Sequence, residues 1–428
     1  MILSDSTVPK RQKRESCIDV PQHLELENYI NNYIGRTKVD RLNFILNLCP
    51  GLREVGYPLL IKELVENSID TSKYQDAVND YNEFLIEKKL PSFQIDQGVI
   101  DKKRQQSSKR QNALNEEIQR AKNEVDKNQV HTSRMELSEI LYQLGNFETA
   151  TNQFILCRDT ATSTESINKL WGRLVLINLQ LKNANMAYTY ISRLSTDLHE
   201  IDPVVKAKID ASMGISLMLQ QKFDEAAVHF TTVSSELGSQ YNEIISPSDI
   251  AIYGTLCSLC SFSRSGLKDL LFNNPNFYQF LELTPKFRDL ISHFLNSNYS
   301  EVFQILSSYY NDFKLDFFLS DVLDSIYNEI KRRALLQYCA PFTSLKLSSI
   351  STIFDLTHTQ LIQELTSLIK KGKLQAKLDI YNDVLWSEQE DPRVELYNQV
   401  SEIGKDYQIA TKATLALYKL NQAKLSIE

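Results

Sequence analysis

Glycine and proline are both scarce in this sequence, which has 12 glycines and 11 prolines among 428 residues. Because these two residues interrupt helices more strongly than any others, their scarcity favours a mostly helical protein. No run of about 18 or more apolar residues occurs, so the sequence predicts no contact with a membrane. The first residues, Met1–Asp5, lack the apolar stretch of a signal peptide, and we therefore expect an intracellular protein.

Cysteines are few and irregularly spaced, at Cys17, Cys49, Cys157, Cys257, Cys260 and Cys339. This spacing predicts free, mostly buried thiols rather than a disulfide framework. Cys257 and Cys260 form a C-x-x-C string, but a zinc or redox site also needs a second ligand pair or electropositive surroundings. Neither is evident in the sequence, so we expect both thiols to be core residues.

Catalytic motifs are absent as well. The six histidines are isolated from one another, and no H-E-x-x-H, glycine-rich phosphate loop or G-x-S-x-G string occurs. We therefore expect no enzymatic activity, no metal and no cofactor. The net charge of −7 argues against general nucleic-acid binding, although a local basic patch remains possible.

The N-terminal part of the chain divides into a tail, residues 1–22, and a helical region with a polar linker, residues 23–129. The tail contains a basic run, Lys10, Arg11, Lys13 and Arg14, which indicates either a nuclear-import patch or a solvated basic tail. In the linker, good helix formers around 113–125 predict a solvated helix, flanked by a flexible loop near 105–108.

A repeated pattern predicts a helical solenoid over residues 130–325. Similar strings occur at Leu144–Ala150, Leu181–Ala187 and Gln220–Ala226, with a degenerate copy at Leu295–Val302. The first three are spaced by about 38 residues, which is typical of a helix-turn-helix repeat of tetratricopeptide type. In this interpretation the alanine allows close helix packing and the aromatic residue fills the gap, so the strings are structural rather than ligand-binding.

Residues 326–390 predict a winged helix. Two apolar helical stretches precede a third helix that begins with a capping box at Thr357–Gln360 and ends at Gly372. Alternating apolar residues then predict a strand, and the turn 381–383 leads into a second strand. A sheet of this size has an unpaired edge that another subunit can complete. The predicted edge interface consists of Leu374, Ala376, Leu378, Val384 and Trp386.

The last segment, residues 391–428, predicts one long helix with a heptad seam. The seam includes Leu396, Val400, Ile403, Tyr407 and Leu417. Because the winged helix is complete without it, this helix needs a partner helix, within the chain or in another chain, and we favour another chain. A different interpretation of the region is a nucleic-acid-binding adaptor that uses Lys370 and Lys371, but Glu364 and the lack of a base-reading arginine there argue against it.

Two sets of residues resemble known proteins. The string Leu361-x-x-x-Leu365-x-x-Leu368-Ile369-x-x-Gly372-x-Leu374-x-Ala376-x-Leu378-Asp379 resembles the end of the PCI domain, which the proteasome lid, the COP-nine signalosome and translation initiation factor three share. The stretches Ser246–Cys257, Asn274–Pro285 and Ile330–Phe342 are similar to the subunit-one family of the signalosome. Subunit seven of the proteasome lid has the same architecture, so it remains an alternative.

The resemblance implies a mainly α fold, with a tetratricopeptide-like solenoid, a winged-helix PCI domain and a final long helix. It implies a non-catalytic scaffold in a complex that removes the modifier Nedd-eight from cullins and so regulates cullin-RING ubiquitin ligases. The partners it implies are other PCI subunits, a metalloprotease subunit on another chain, and cullin-RING ligases. Together with the basic run, it leads us to expect a location in the nucleus and cytoplasm.

Overall fold

The computed structural model describes residues 25–94, 96–161, 163–196, 202–387 and 392–423. Within these residues it contains 21 α-helices and one three-stranded sheet, which confirms the predicted mainly α fold. The chain divides into two compact units, Met1–Lys331 and Arg332–Glu428. The basic run at Lys10, Arg11, Lys13 and Arg14 lies outside the described residues. None of the described helices is both long and apolar enough to span a membrane.

The first unit begins with four helices that form a core of their own. They are α1 (Leu26–Asn31), α2 (Arg36–Leu48), α3 (Arg53–Glu66) and α4 (Thr71–Glu87). Their buried apolar residues form one cluster that includes Leu42, Ile45, Leu60 and Val78. These positions recur at helical spacing on each element, so every helix contributes one apolar stripe to a shared centre.

The polar linker is one continuous helix, α5 (Gln97–Asn123). The prediction of a flexible loop near 105–108 was therefore wrong. Lys103 explains part of the difference, because its Nζ donates to the carbonyls of Leu64 at 2.9 Å and of Val65 and Ser68, both at 2.6 Å. It thereby satisfies backbone acceptors that the C-terminal end of α3 leaves open and holds the polar half of α5 in place.

The predicted repeats are helix pairs, and the degenerate fourth copy is a helix pair too. They comprise α6 (Lys127–Gln143) with α7 (Phe147–Arg158), α8 (Thr164–Gln180) with α9 (Ala184–Thr196), α10 (Pro203–Leu219) with α11 (Phe223–Thr232), and, further along, α15 (Pro285–Leu295) with α16 (Tyr299–Ser308). The alanines Ala150, Ala187 and Ala226 are fully buried, as expected for positions of close helix packing.

All four repeat turns have the same backbone geometry. Each has one residue with positive φ, namely Gly145, Lys182, Gln221 and Ser297. In each turn, two amides donate back into the preceding helix, as Gln221 does to the Met218 carbonyl and Lys222 to the Leu217 carbonyl, both at 3.0 Å. This is the Schellman motif, and only the first repeat supplies the glycine that this conformation favours.

Between the third and fourth pairs lie α12 (Pro247–Ser261), α13 (Arg264–Phe272) and α14 (Pro275–Glu282). A capping box begins α12, since the Asp249 amide donates to Ser246 Oγ at 3.2 Å and the Ser246 amide donates to Asp249 Oδ2 at 3.1 Å. Cys257 and Cys260 are both buried on α12, as predicted for core residues. Burial raises the pKa of the Cys257 thiol, which makes it a poor nucleophile. The short α17 (Tyr310–Lys314) follows the fourth pair.

The second unit is a winged helix followed by a long helix. Helix α18 (Leu323–Cys339) leads into it, and β1 (Ser344–Lys346), α19 (Leu347–Phe354), α20 (His358–Lys370), β2 (Ala376–Asp379), β3 (Val384–Ser387) and α21 (Pro392–Gln422) follow. The Gln360 half of the predicted capping box is present, because the Thr357 amide donates to Gln360 Oε1 at 3.3 Å. Gly372 has a φ of 67°, as predicted for the residue that ends α20.

Candidate partner interface in the second unit

The three strands are ordered β1–β3–β2, and both pairs are antiparallel. This order places β3 in the centre, so the backbone of Val384 and Trp386 is not at an edge of the sheet. Ala376 and Leu378 lie in β2, which is an edge strand, and Leu374 precedes it. The structure therefore separates the five predicted edge residues. Their role in binding a partner stays a prediction.

The hydrogen bonds of β3 show which groups of β2 are unpaired within the sheet. The Ser387 amide donates to the Thr343 carbonyl at 2.8 Å, so Ser387 and every second residue before it direct their backbone groups towards β1. Val384 and Trp386 consequently face β2, opposite Asp379 and Lys377. The amides and carbonyls of Ala376 and Leu378 thus point away from β3, where no other strand of the described residues pairs with them.

A groove of about 370 Å³ lies beside this edge. Its lining is largely apolar and includes Leu336, Cys339, Leu345, Leu374, Ala376 and Leu385. Ala376 and Leu385 are buried, whereas Trp386 is 52% exposed on the opposite face of the sheet. A strand that paired with β2 would therefore place alternate side chains towards the groove and towards the face of Trp386.

Two aspartates hold the turn between β2 and β3. Asp379 Oδ1 accepts from the amides of Tyr381 and Asn382, both at 3.1 Å. These bonds, the Asn382 amide first, hold the pKa of Asp379 below its ordinary value. Asp383 has positive φ and accepts from the Ser348 amide at 3.3 Å, and it lies 2.6 Å from His358 Nε2. The turn of the hairpin is thereby connected to both α19 and α20.

Helix α21 exposes its predicted seam throughout. Leu396, Val400, Ile403, Tyr407 and Leu417 are each more than half exposed. The positions that flank such a seam carry mostly uncharged residues, among them Tyr397, Gln399, Gly404, Thr411, Ala413, Tyr418 and Leu420. A pair of helices usually has charged residues at these positions, so the wide uncharged face suits a bundle of more than two helices.

Sequence reasoning missed β1 and the exposed Phe342 just before it. Phe342 is 43% exposed and lines the groove beside β2. The only local signal was the alternation of polar Ser344, apolar Leu345 and polar Lys346. Three residues are too few to distinguish a strand from a loop.

Among the described residues, no group of three or more His, Cys, Asp or Glu side chains is arranged to hold a metal ion.

Two family models match the chain. Residues 96–270 match the model described as 26S proteasome subunit RPN7, and residues 284–389 match the PCI domain. The second match covers α15 to β3, and so includes the groove and the open edge of β2. The first covers the linker helix and the first three repeat pairs.

Named relatives span nearly the whole chain. It is 30% identical over 394 residues to COP9 signalosome complex subunit 1 of Arabidopsis thaliana, covering 92% of this chain and 88% of that protein. The protein of the same name in Emericella nidulans is 28% identical over 417 residues, which cover 94% of this chain and 83% of that protein. The 26S proteasome non-ATPase regulatory subunit 6 of Dictyostelium discoideum is 21% identical over 364 residues, which cover 81% of this chain and 92% of that protein.

Proposed function

Because this chain belongs to the family of COP9 signalosome complex subunit 1, we propose that it is a non-catalytic scaffold subunit of a COP9 signalosome. In this proposal the complex removes Nedd-eight from cullins and so regulates cullin-RING ubiquitin ligases. The isopeptidase centre belongs to a metalloprotease subunit on another chain. The partners of this chain are other PCI subunits, and the cullin-RING ligases bind the assembled complex.

The observation that carries this proposal is the open edge of β2. Ala376 and Leu378 present backbone amides and carbonyls that no strand of the described residues pairs with, on a hairpin beside an apolar groove. An edge of this kind accepts a strand from a second protein through backbone hydrogen bonds. The exposed seam of α21 provides a second, independent contact, for which we propose helices of neighbouring subunits.

Two proline substitutions test the edge. In Ala376→Pro the lost amide points outward, and the first residue of an edge strand is a position that tolerates proline. We expect a folded chain that recovers much less of the neighbouring subunit. In Lys377→Pro the lost amide faces β3, so this control should also disturb the winged helix itself. An Ala376→Pro chain that recovers every subunit at the wild-type ratio would contradict the edge model.

Affinity purification of the tagged chain, followed by mass spectrometry, tests the proposal as a whole. We expect other PCI subunits, one metalloprotease subunit and cullins, and no isopeptidase activity in the chain purified alone. The second candidate is a proteasome lid subunit, which the match of residues 96–270 to the RPN7 model favours. Recovery of proteasomal ATPases would select that candidate and reject the first.

We also propose that the chain is present in both nucleus and cytoplasm. The support is the basic run at Lys10, Arg11, Lys13 and Arg14. Changing all four to glutamine in a fluorescently tagged chain should reduce the nuclear fraction. The matched control changes Lys102, Arg104, Lys109 and Arg110, a second basic group on α5. An unchanged distribution in the first variant would reject the basic run as an import signal.

A further inference from the structure

Helix α2 contacts three separated parts of the chain that follow it. Arg36 Nη1 donates to the Gln143 carbonyl at 2.8 Å, at the first repeat turn. Thr37 Oγ1 accepts from Gln180 Nε2 at 2.8 Å, at the second turn. Arg41 lies 2.8 Å from Asp316, and the Phe44 ring lies 5.5 Å from the Phe317 ring. One side of a single helix thus rests against the repeats over most of its length.

The centre of this contact is a buried charge cluster. Arg41 is 1% exposed, and its guanidinium donates to Asp316 Oδ2 and lies 3.6 Å from Asp249 Oδ2. Three tyrosines complete the cluster. Tyr29 donates to Asp316 at 3.0 Å, Tyr33 to Asp249 at 2.6 Å, and Tyr253 to Asp316 at 2.7 Å. We call these six residues the latch, because three come from residues 29–41 and three from residues 249–316.

The latch differs in kind from the core beside it. The apolar cluster of α1–α4 is nearly complete in itself, and among the described residues its buried members outside these helices and their loops are Ile100, on α5, and Leu315. The first helices therefore share most of their apolar core with one another rather than with the repeats. A contact of this polar kind between two parts of one chain resembles a transient interface between proteins more than it resembles a shared core. A buried ion pair also adds little net stability compared with apolar residues in the same place.

We propose that α1–α4 form a module that the latch seats on the repeat turns, and that separating Arg41 from Asp316 releases α2 from the turns while the apolar core of the module stays intact. The module is then held to the repeats by a polar contact that opens on its own, before either part unfolds. This inference does not depend on the complex proposed above.

Asp316→Asn is the sharpest test, because it preserves the shape of the site. The retained Oδ1 still accepts from the amides of Phe318 and Leu319 and from Tyr253. The new amide group, however, replaces the oxygen that accepts from Arg41 and from the Tyr29 hydroxyl. The local turn therefore survives while the contact across the latch is lost. Thr37→Val is a second, milder variant at the other end of α2. The control is Asp210→Asn, which removes one carboxylate charge outside the latch, 3.2 Å from His229 Nδ1.

Hydrogen exchange of the full chain reads out the seating of the module. The Ile34 amide is a direct reporter, since it donates to the Asn242 carbonyl at 3.2 Å. In Asp316→Asn we expect exchange at Ile34 and across 242–250 to accelerate at least about tenfold, as loss of one partner of a buried pair implies. Amides of α3 and α4 should keep their protection, and Thr37→Val should show the same pattern more weakly.

Two results would overturn the proposal. If the protection of α3 and α4 falls together with that of Ile34, the first helices and the repeats share one cooperative core and no module exists. If neither changes in a variant with wild-type helix content, the latch does not hold the module. An equal acceleration in Asp210→Asn would likewise reject a specific role for Arg41 and Asp316.

Discussion

The packing around α12 is predicted to require glycine at position 254. A matched pair of alanine substitutions measures the free energy of unfolding that a larger side chain costs there. A Cβ at Gly254, on α12, would lie 2.6 Å from Phe277 Cε2 and 3.3 Å from Phe230 Cβ. A Cβ at Gly172, on α8, would meet no atom within 4 Å. Both glycines are inside helices, so alanine gains about 0.5–1 kcal/mol of helix stability at either site. That gain cancels when the two variants are compared.

What remains is the cost of overpacking at position 254, which is about 1–3 kcal/mol. Gly254→Ala should therefore be less stable than Gly172→Ala by that amount, and Gly172→Ala should be slightly more stable than the wild type. The two tryptophans, Trp171 and Trp386, make the assay simple. In a Trp386→Phe background, the fluorescence of the buried Trp171 reports urea unfolding of the repeats. Equal urea midpoints for the two variants would refute the packing argument.

Three further predictions follow from the turns, the latch and α21. Gln221→Gly should raise the stability of the repeats by about 1 kcal/mol in the same assay, because glycine removes the strain of positive φ; a loss would contradict it. Burial by itself would raise the pKa of Asp316, but Arg41, the Leu319 amide and the Tyr253 hydroxyl hold it below its ordinary value. A depressed pKa contributes stability above the ordinary value of about 3.9, and this stability is lost as the pH falls through the depressed value. The protection factor of the Ile34 amide, which is its intrinsic exchange rate divided by the observed rate, should then fall below about pH 4 in the wild type, and this fall should be absent in Asp316→Asn. Ile403→Asp should leave the thermal midpoint unchanged, because the side chain is 68% exposed, yet reduce recovery of partner subunits; the exposed Lys405→Asp is its control.

The repeats and the winged helix were predictable because their signals are local. Each repeat turn directly follows its helix in the sequence, and a capping box or a change of period is visible in one window. The open sheet edge was only partly predictable. Its position depends on β1, a strand of three residues that pairs with β3 about 40 residues later. The predicted edge therefore included Val384 and Trp386, whose backbones are central in the sheet.

The latch could not be predicted at all. Arg41 and Asp316 are 275 residues apart, and neither stands in a pattern that distinguishes it from an ordinary surface charge. In the sequence, Arg41 even interrupts an apolar stripe. Only the fold shows that the position is buried and that two carboxylates compensate the charge. Long-range polar contacts have no period, so they leave no signal in one sequence.

The two candidate contacts of the second unit have different physical roles, and a scaffold needs both. Strand pairing at β2 is directional, because a shift of the pairing register by one residue moves every side chain of the added strand to the other face of the sheet. The contacts of the hairpin turn with α19 and α20 also set the direction in which β2 points. Its few hydrogen bonds contribute only about 0.5–1.5 kcal/mol each. The α21 seam is less directional, but five apolar side chains at about 1.5–3 kcal/mol each supply about 10 kcal/mol gross, comparable with the cost of association. In the proposed assembly, the edge would set the orientation of a neighbouring subunit and the helix would supply most of the affinity.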